Sequence, residues 1–144
     1  MFDYLFNLLS FINYWAVLVS AIAAMGIAAI WYSPKVMGNA WMAENNFKEK
    51  DLGDPKQAMI QGFVANLVLA FGLAAFFIIL QRAEPTVSPL NGALWGFGLA
   101  VLIHGAASFP NYAFENRSPM LFLIHISNSA LGMAAMGAIL AYWK

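Results

Sequence analysis

Residues 31–41 read Trp31-Tyr32-Ser33-Pro34-Lys35-Val36-Met37-Gly38-Asn39-Ala40-Trp41, "WYSPKVMGNAW", and they end a run, 12–32, that holds no Asp, Glu, Lys or Arg. A helix leaving a bilayer requires this order. Amphipathic rings settle at the headgroups, proline stops the helix, and lysine reaches water. Working outward, three more charge-free runs occupy 58–80, 92–109 and 120–143. The shortest has 18 residues, which at about 1.5 Å per residue covers about 27 Å of a hydrocarbon core about 30 Å thick. In lipid only helices and closed barrels satisfy every backbone group. The sequence therefore predicts an all-α, polytopic membrane protein. It forms a single domain over 1–144, with transmembrane helices at 12–32, 58–80, 92–109 and 120–143 gathered into a compact bundle.

Composition agrees. The 144 residues are 62% hydrophobic and 10% charged, against about 25% charged in soluble domains. Seven acidic and seven basic residues cancel, so no nucleic-acid partner and no electrostatically steered substrate is expected. The absence of cysteine removes disulfides, thiolate metal sites and cysteine nucleophiles. The opening "MFDYLFNLLS" sets Phe2, Leu5, Phe6 and Leu9 on one stripe and Asp3, Asn7 and Ser10 on another, which predicts a short N-terminal interfacial helix. It lacks the basic start and small-residue cleavage site of a signal peptide, so it is expected to stay on the mature protein.

Loop 33–57 carries Lys35, Lys48, Lys50 and Lys56, and loop 110–119 carries Arg117, while the other side has only Arg82 and Lys144. The positive-inside bias puts the long loop in the cytoplasm and both termini outside, in a membrane expected to be a bacterial inner membrane. Trp41, Met42 and Phe47 are too apolar for a free linker, so the stretch 38–47 is expected against the membrane surface. Loops 81–91 and 110–119 read as plain turns. Small residues recur every fourth position as Ala16, Ser20, Ala24 and Ala28, and again as Gly92, Gly96, Ala100, then His104 and Ser108. Such rows let helices approach closely in lipid, and they leave faces for neighbouring subunits.

Intramembrane polar residues are functional candidates by default. They are Gln61, Asn66, His104, Ser108, His125, Ser127, Asn128 and Ser129. His104 lies six residues before Pro110 and His125 six after Pro119, so both are expected about 9 Å inside one membrane face. One polar layer of Gln61, His104 and His125, with Asn128 and Ser129 a turn deeper, follows. An interhelical hydrogen-bond network, a substrate or proton path, and a haem or metal ligand pair are its three readings; the first is preferred, so no cofactor and no metal are expected. At the interface, Asn111, Glu115 and Arg117 suit a lipid headgroup, or Glu115 and Arg117 suit each other. No nucleophile with a base, phosphate loop or metal motif is legible, and an enzyme is not expected.

The interfacial residues Trp31, Tyr32, Ser33, Pro34, Gly38 and Trp41, followed late in the chain by Asn111, Phe114, Glu115, Arg117, Pro119 and the ending "GAILAYW", resemble a family of small integral membrane proteins catalogued as domain of unknown function 1761. Met37 stands where the family would place a phenylalanine beside the glycine. The resemblance covers nearly the whole chain. It implies four membrane helices but no substrate, reaction or catalytic residue. The expected role is a non-enzymatic homo-oligomer or accessory subunit among membrane lipids, with a small-solute or proton transporter, and then a haem- or metal-binding redox subunit, as the alternatives.

Overall fold

Three of the four long helices begin on the same device, a short polar cap followed by proline. In the computed structural model, which describes residues 7–143, these caps are Asp54, Ser88 and Ser118, each accepting from a backbone N–H of the first turn. Pro55, Pro89 and Pro119 follow them, where the missing amide hydrogen has no helical partner to lose. Asn13 caps the first long helix, its Oδ1 accepting from the amides of Trp15 and Ala16 at 3.1 Å each. The elements are α1 (Tyr14–Trp31), α2 (Gly38–Glu44), a 3₁₀ turn (Glu49–Asp51), α3 (Pro55–Ala83), α4 (Pro89–Phe114) and α5 (Pro119–Tyr142). No strand occurs among the described residues.

Helices α1, α3, α4 and α5 are long and apolar enough to cross a membrane, at 18, 29, 26 and 24 residues. They overlap the four charge-free runs, and α3 and α4 extend beyond theirs at both ends. The largest difference is α4, which runs through Pro110 to Phe114 instead of turning there. A proline inside a membrane helix removes one ladder bond, and neighbouring groups can take up the loss. The turn is therefore much shorter than loop 110–119, and Tyr112 is helical.

Helix α1 packs between α3 and α5, which also touch each other, and α4 packs chiefly on α5. The core lies where the first three meet. Ala16, Ala21 and Ala24 of α1 face Ala70, Leu73 and Phe77 of α3 and Ala130, Met133 and Met136 of α5. Of the small row expected on α1, Ala16, Ser20 and Ala24 are buried. Leu8 and Ile12 also pack inward at 6% and 5% exposure. The expected interfacial helix is described only over 7–10, where it is helical; Phe2, Asp3, Leu5 and Phe6 lie outside the described residues, as does Lys144.

The α4–α5 seam is a backbone contact. A Cβ on Gly96 would sit 2.0 Å from the Met133 carbonyl oxygen, and one on Gly92 would sit 2.3 Å from that of Gly137. Beyond the seam, residues Ala100–Gly105 form a π-helical turn. Its effect is visible in the buried face, which steps by four through Gly92, Gly96 and Ala100 and then by five to Gly105. The row expected to continue through His104 is thereby rotated, and His104 is exposed.

Candidate functional site

The expected polar layer is not formed as one unit. His104 and Gln61 are exposed, and among the described residues His104 makes no hydrogen bond and does not meet His125. Two causes are plain. The π turn sends Gly105 inward in place of His104. The extension of α4 to Phe114 also puts His104 ten residues from the end of its helix, while His125 is six from the start of α5, depths of about 15 and 9 Å.

The remaining residues form two centres. The deeper one brings Asn66, Asn128 and Ser129 around a cavity of about 70 Å³ that is also lined by Ala24, Ala28 and Gly132. Asn66 Nδ2 donates to the Gly62 carbonyl at 2.9 Å and contacts Met25 Sδ at 3.5 Å. Asn128 Oδ1 is buried without a protein partner, as is Ser20 Oγ. A cavity of this size and polarity has room for a water or two.

The second centre is His125, and its partners come from the long loop and from the end of α4. The Trp41 indole Nε1–H donates to His125 Nε2 at 3.1 Å. Indole nitrogen is only a donor, so Nε2 must be the acceptor; in a neutral ring Nδ1 then carries the proton and donates to the Tyr112 hydroxyl oxygen, with which it is hydrogen-bonded. An imidazolium would set two N–H groups against each other at Trp41. The Tyr32 ring meets Trp41 edge-on at 6.0 Å and His125 at 6.3 Å. Trp31, expected as a headgroup anchor, instead donates its indole N–H to the Ile124 carbonyl at 3.0 Å. Ser118 Oγ donates to the Glu44 carboxylate, joining α2 to the start of α5.

The local chain explains how Trp41 arrives there. The Met37 amide donates to the Trp31 carbonyl and the Gly38 amide to the Ser33 carbonyl, both at 2.9 Å, winding Ser33–Gly38 into a tight turn. A Cβ on Gly38 would lie 2.3 Å from the Tyr32 carbonyl oxygen. The turn launches α2 across α5. Asn46 and Asn116 then end α2 and α4 with φ of 55° and 52°, in the left-handed region that asparagine tolerates after a helix. Arg117 Nε pairs with Glu115 at 2.6 Å on the surface, and Asn111 is exposed nearby.

Both His125 ring nitrogens are thus engaged, and what the arrangement does is tie the long loop, α4 and α5 together at one face. Tyr112 is the residue that sequence reading missed, because Pro110 had placed it in a loop. Trp41→Phe is expected to leave His125 Nε2 unpaired in a half-buried site and to lower stability by about 1–3 kcal/mol. Equilibrium unfolding in mixed micelles measures this. Among the described residues no three His, Asp or Glu side chains gather as a metal site would require.

Residues 15–141 match the family model described as "Protein of unknown function (DUF1761)". No curated protein and no solved structure matches the chain.

Proposed function

Since the chain belongs to the DUF1761 family, whose description states no activity, its role must come from its geometry, and we propose a small non-enzymatic membrane protein that works as a subunit, first of its own oligomer and otherwise of a larger membrane complex. One observation carries this reading: His104, in a segment apolar enough to lie in lipid, is exposed and has no hydrogen-bond partner among the described residues. Leaving an imidazole against hydrocarbon is costly. Its one donor and one acceptor point away from each other, so a polar group on a neighbouring subunit can satisfy either of them. On the same helix, the one long helix carried chiefly by a single neighbour, Leu94, Leu102 and Ile103 are 62%, 75% and 62% exposed.

The non-enzymatic part of the proposal rests on His125, whose two nitrogens are already bonded. Transport ranks lower, because the internal polar cavity is about 70 Å³ and a permeation path needs continuous wet space. The same proposal keeps the loops 33–57 and 110–119 on the cytoplasmic side of a bacterial inner membrane. Their joining through Trp41 with His125 and Glu44 with Ser118 agrees with a shared side.

Native mass measurement in nanodiscs is expected to give a multiple of the chain mass, and His104→Leu should shift it toward monomer by at least about tenfold in dissociation constant. The unfolding midpoint of the variant should change little. A wild-type monomer at every concentration, with no co-purifying protein, rejects the subunit reading.

A further inference from the structure

Beside the His125 centre, and independent of the oligomer reading, lies a cleft of about 600 Å³. It opens where the long loop folds over the end of α1 and the start of α5, the level at which lipid headgroups sit. Its lining includes the aromatic residues Tyr32 and Trp41, the apolar Pro34, Met42 and Leu52, and Glu49. The two rings meet at 73°, so they form adjacent walls of a box. Tyr32 also meets His125 at 6.3 Å and Trp41 also meets Phe47 at 5.7 Å, both edge-on, so a cluster of rings bounds the cleft.

The polar inventory of the cleft has one sign. Glu49 brings a formal negative charge, and its side chain has no hydrogen bond or ion pair among the described residues. Asn39 Nδ2 is committed to the Pro34 carbonyl at 3.0 Å, which leaves its carbonyl oxygen as the free end. His125 Nε2 is committed to Trp41. No Lys or Arg is among the lining residues described; Lys48 and Lys50 neighbour Glu49 in sequence without lining the cleft. Aromatic faces, a carboxylate and an amide oxygen all favour a cation.

The kind of cation is decided by what is missing. A bare metal ion needs about six oxygen ligands, more than Glu49 and Asn39 bring, and a strongly hydrated primary ammonium gains little from the rings and the apolar Pro34, Met42 and Leu52 that make up most of the lining. A quaternary ammonium donates no hydrogen bond and spreads its charge over methyl groups that apolar walls and ring faces accommodate. We propose that the cleft bounded by Tyr32, Trp41 and Glu49 binds a trimethylammonium group, either of a choline lipid headgroup or of a free quaternary amine.

The test uses the full chain in phosphatidylglycerol nanodiscs, titrated with choline and with dimethylbutanol, its neutral isostere with carbon in place of nitrogen, and read by saturation-transfer NMR. Choline is expected to bind at least about tenfold more tightly than the isostere. Glu49→Gln, on an exposed turn, should weaken choline about three- to tenfold, and Tyr32→Leu should abolish saturable binding where Tyr32→Phe retains it. Glu84→Gln, on the opposite loop, should change nothing. Repeating the titration in phosphatidylcholine discs separates the sources: competition identifies the lipid headgroup, and unchanged choline affinity identifies a free amine. Equal binding of choline and the isostere, an unaltered Glu49→Gln affinity, or no saturable choline binding overturns the proposal.

Discussion

Gly96→Ala is expected to destabilise the protein by about 3 kcal/mol, the upper end of what overpacking usually costs. The added methyl would start 2.0 Å from the Met133 carbonyl oxygen and 2.6 Å from its carbonyl carbon. Those are backbone atoms of α5, which cannot rotate away as a side chain does, so α4 itself must move out. Separation cannot be confined to one residue, because Gly92 and Gly137 hold the same seam at equally short range. In lipid no hydrophobic drive pushes the helices back together, and the lost dispersion contact is not replaced. Unfolding in mixed micelles of varied denaturing-detergent fraction measures the change. Gly98→Ala provides the contrast two residues away, where nothing lies within 4 Å of the new Cβ, and it should be near neutral. A Gly96→Ala protein as stable as the Gly98→Ala protein would mean the seam is not a backbone contact.

Gly38→Ala is expected to cost about 2–3 kcal/mol and to detach the loop from α5. Its Cβ would meet the Tyr32 carbonyl oxygen at 2.3 Å and the Ser33 carbonyl carbon and oxygen at 2.8 Å. The turn could admit it only by opening, and the Gly38-to-Ser33 and Met37-to-Trp31 backbone bonds are what hold it closed. Because α2 starts at Gly38, any such opening displaces Trp41 from His125. The indole N–H resonance of Trp41 should therefore lose its hydrogen-bonded shift, a readout that general destabilisation alone would not select. Val36→Ala in the same turn, where Val36 is 44% exposed, should leave that resonance in place. If Gly38→Ala preserves it, the turn does not position Trp41.

The four spans were legible because lipid forbids unpaired charge, and that prohibition writes itself as runs without Asp, Glu, Lys or Arg. Helix starts were equally open to reading. Asp54-Pro55, Ser88-Pro89 and Ser118-Pro119 are caps with a first-turn proline, although in the sequence Pro89 and Pro119 had suggested only turns. What stayed hidden was rotation. The i+4 row through Gly92, Gly96 and Ala100 is real, but nothing local announces that it breaks before His104, since the π turn forms within the packing of α4 on α5. Aromatic residues posed a different difficulty. Trp31 and Trp41 stand where headgroup anchors belong, and an indole N–H serves a phosphate or a protein acceptor equally well. Only the positions of Ile124 and His125 decide between them. Of the expected polar residues, Asn66, Asn128 and Ser129 line one cavity, although nothing in the sequence paired Asn66 with the other two. His104 does not, because its depth was reckoned from a turn drawn too early and the π turn rotates it outward, and Gln61 does not, because it lies on an exposed face of α3.

The π turn at Ala100–Gly105 makes α4 a shaft with two independently keyed ends. On one side of it the phase is fixed by glycines seated on the backbone of α5; on the other it is fixed by Tyr112 reaching His125. One extra residue in a helix advances everything beyond it by about 100°. A regular α-helix of this sequence could satisfy either key but not both. The surplus residue therefore works as a phase offset between seam and latch, and the outward throw of His104 is the mark that offset leaves on the outer face of the bundle.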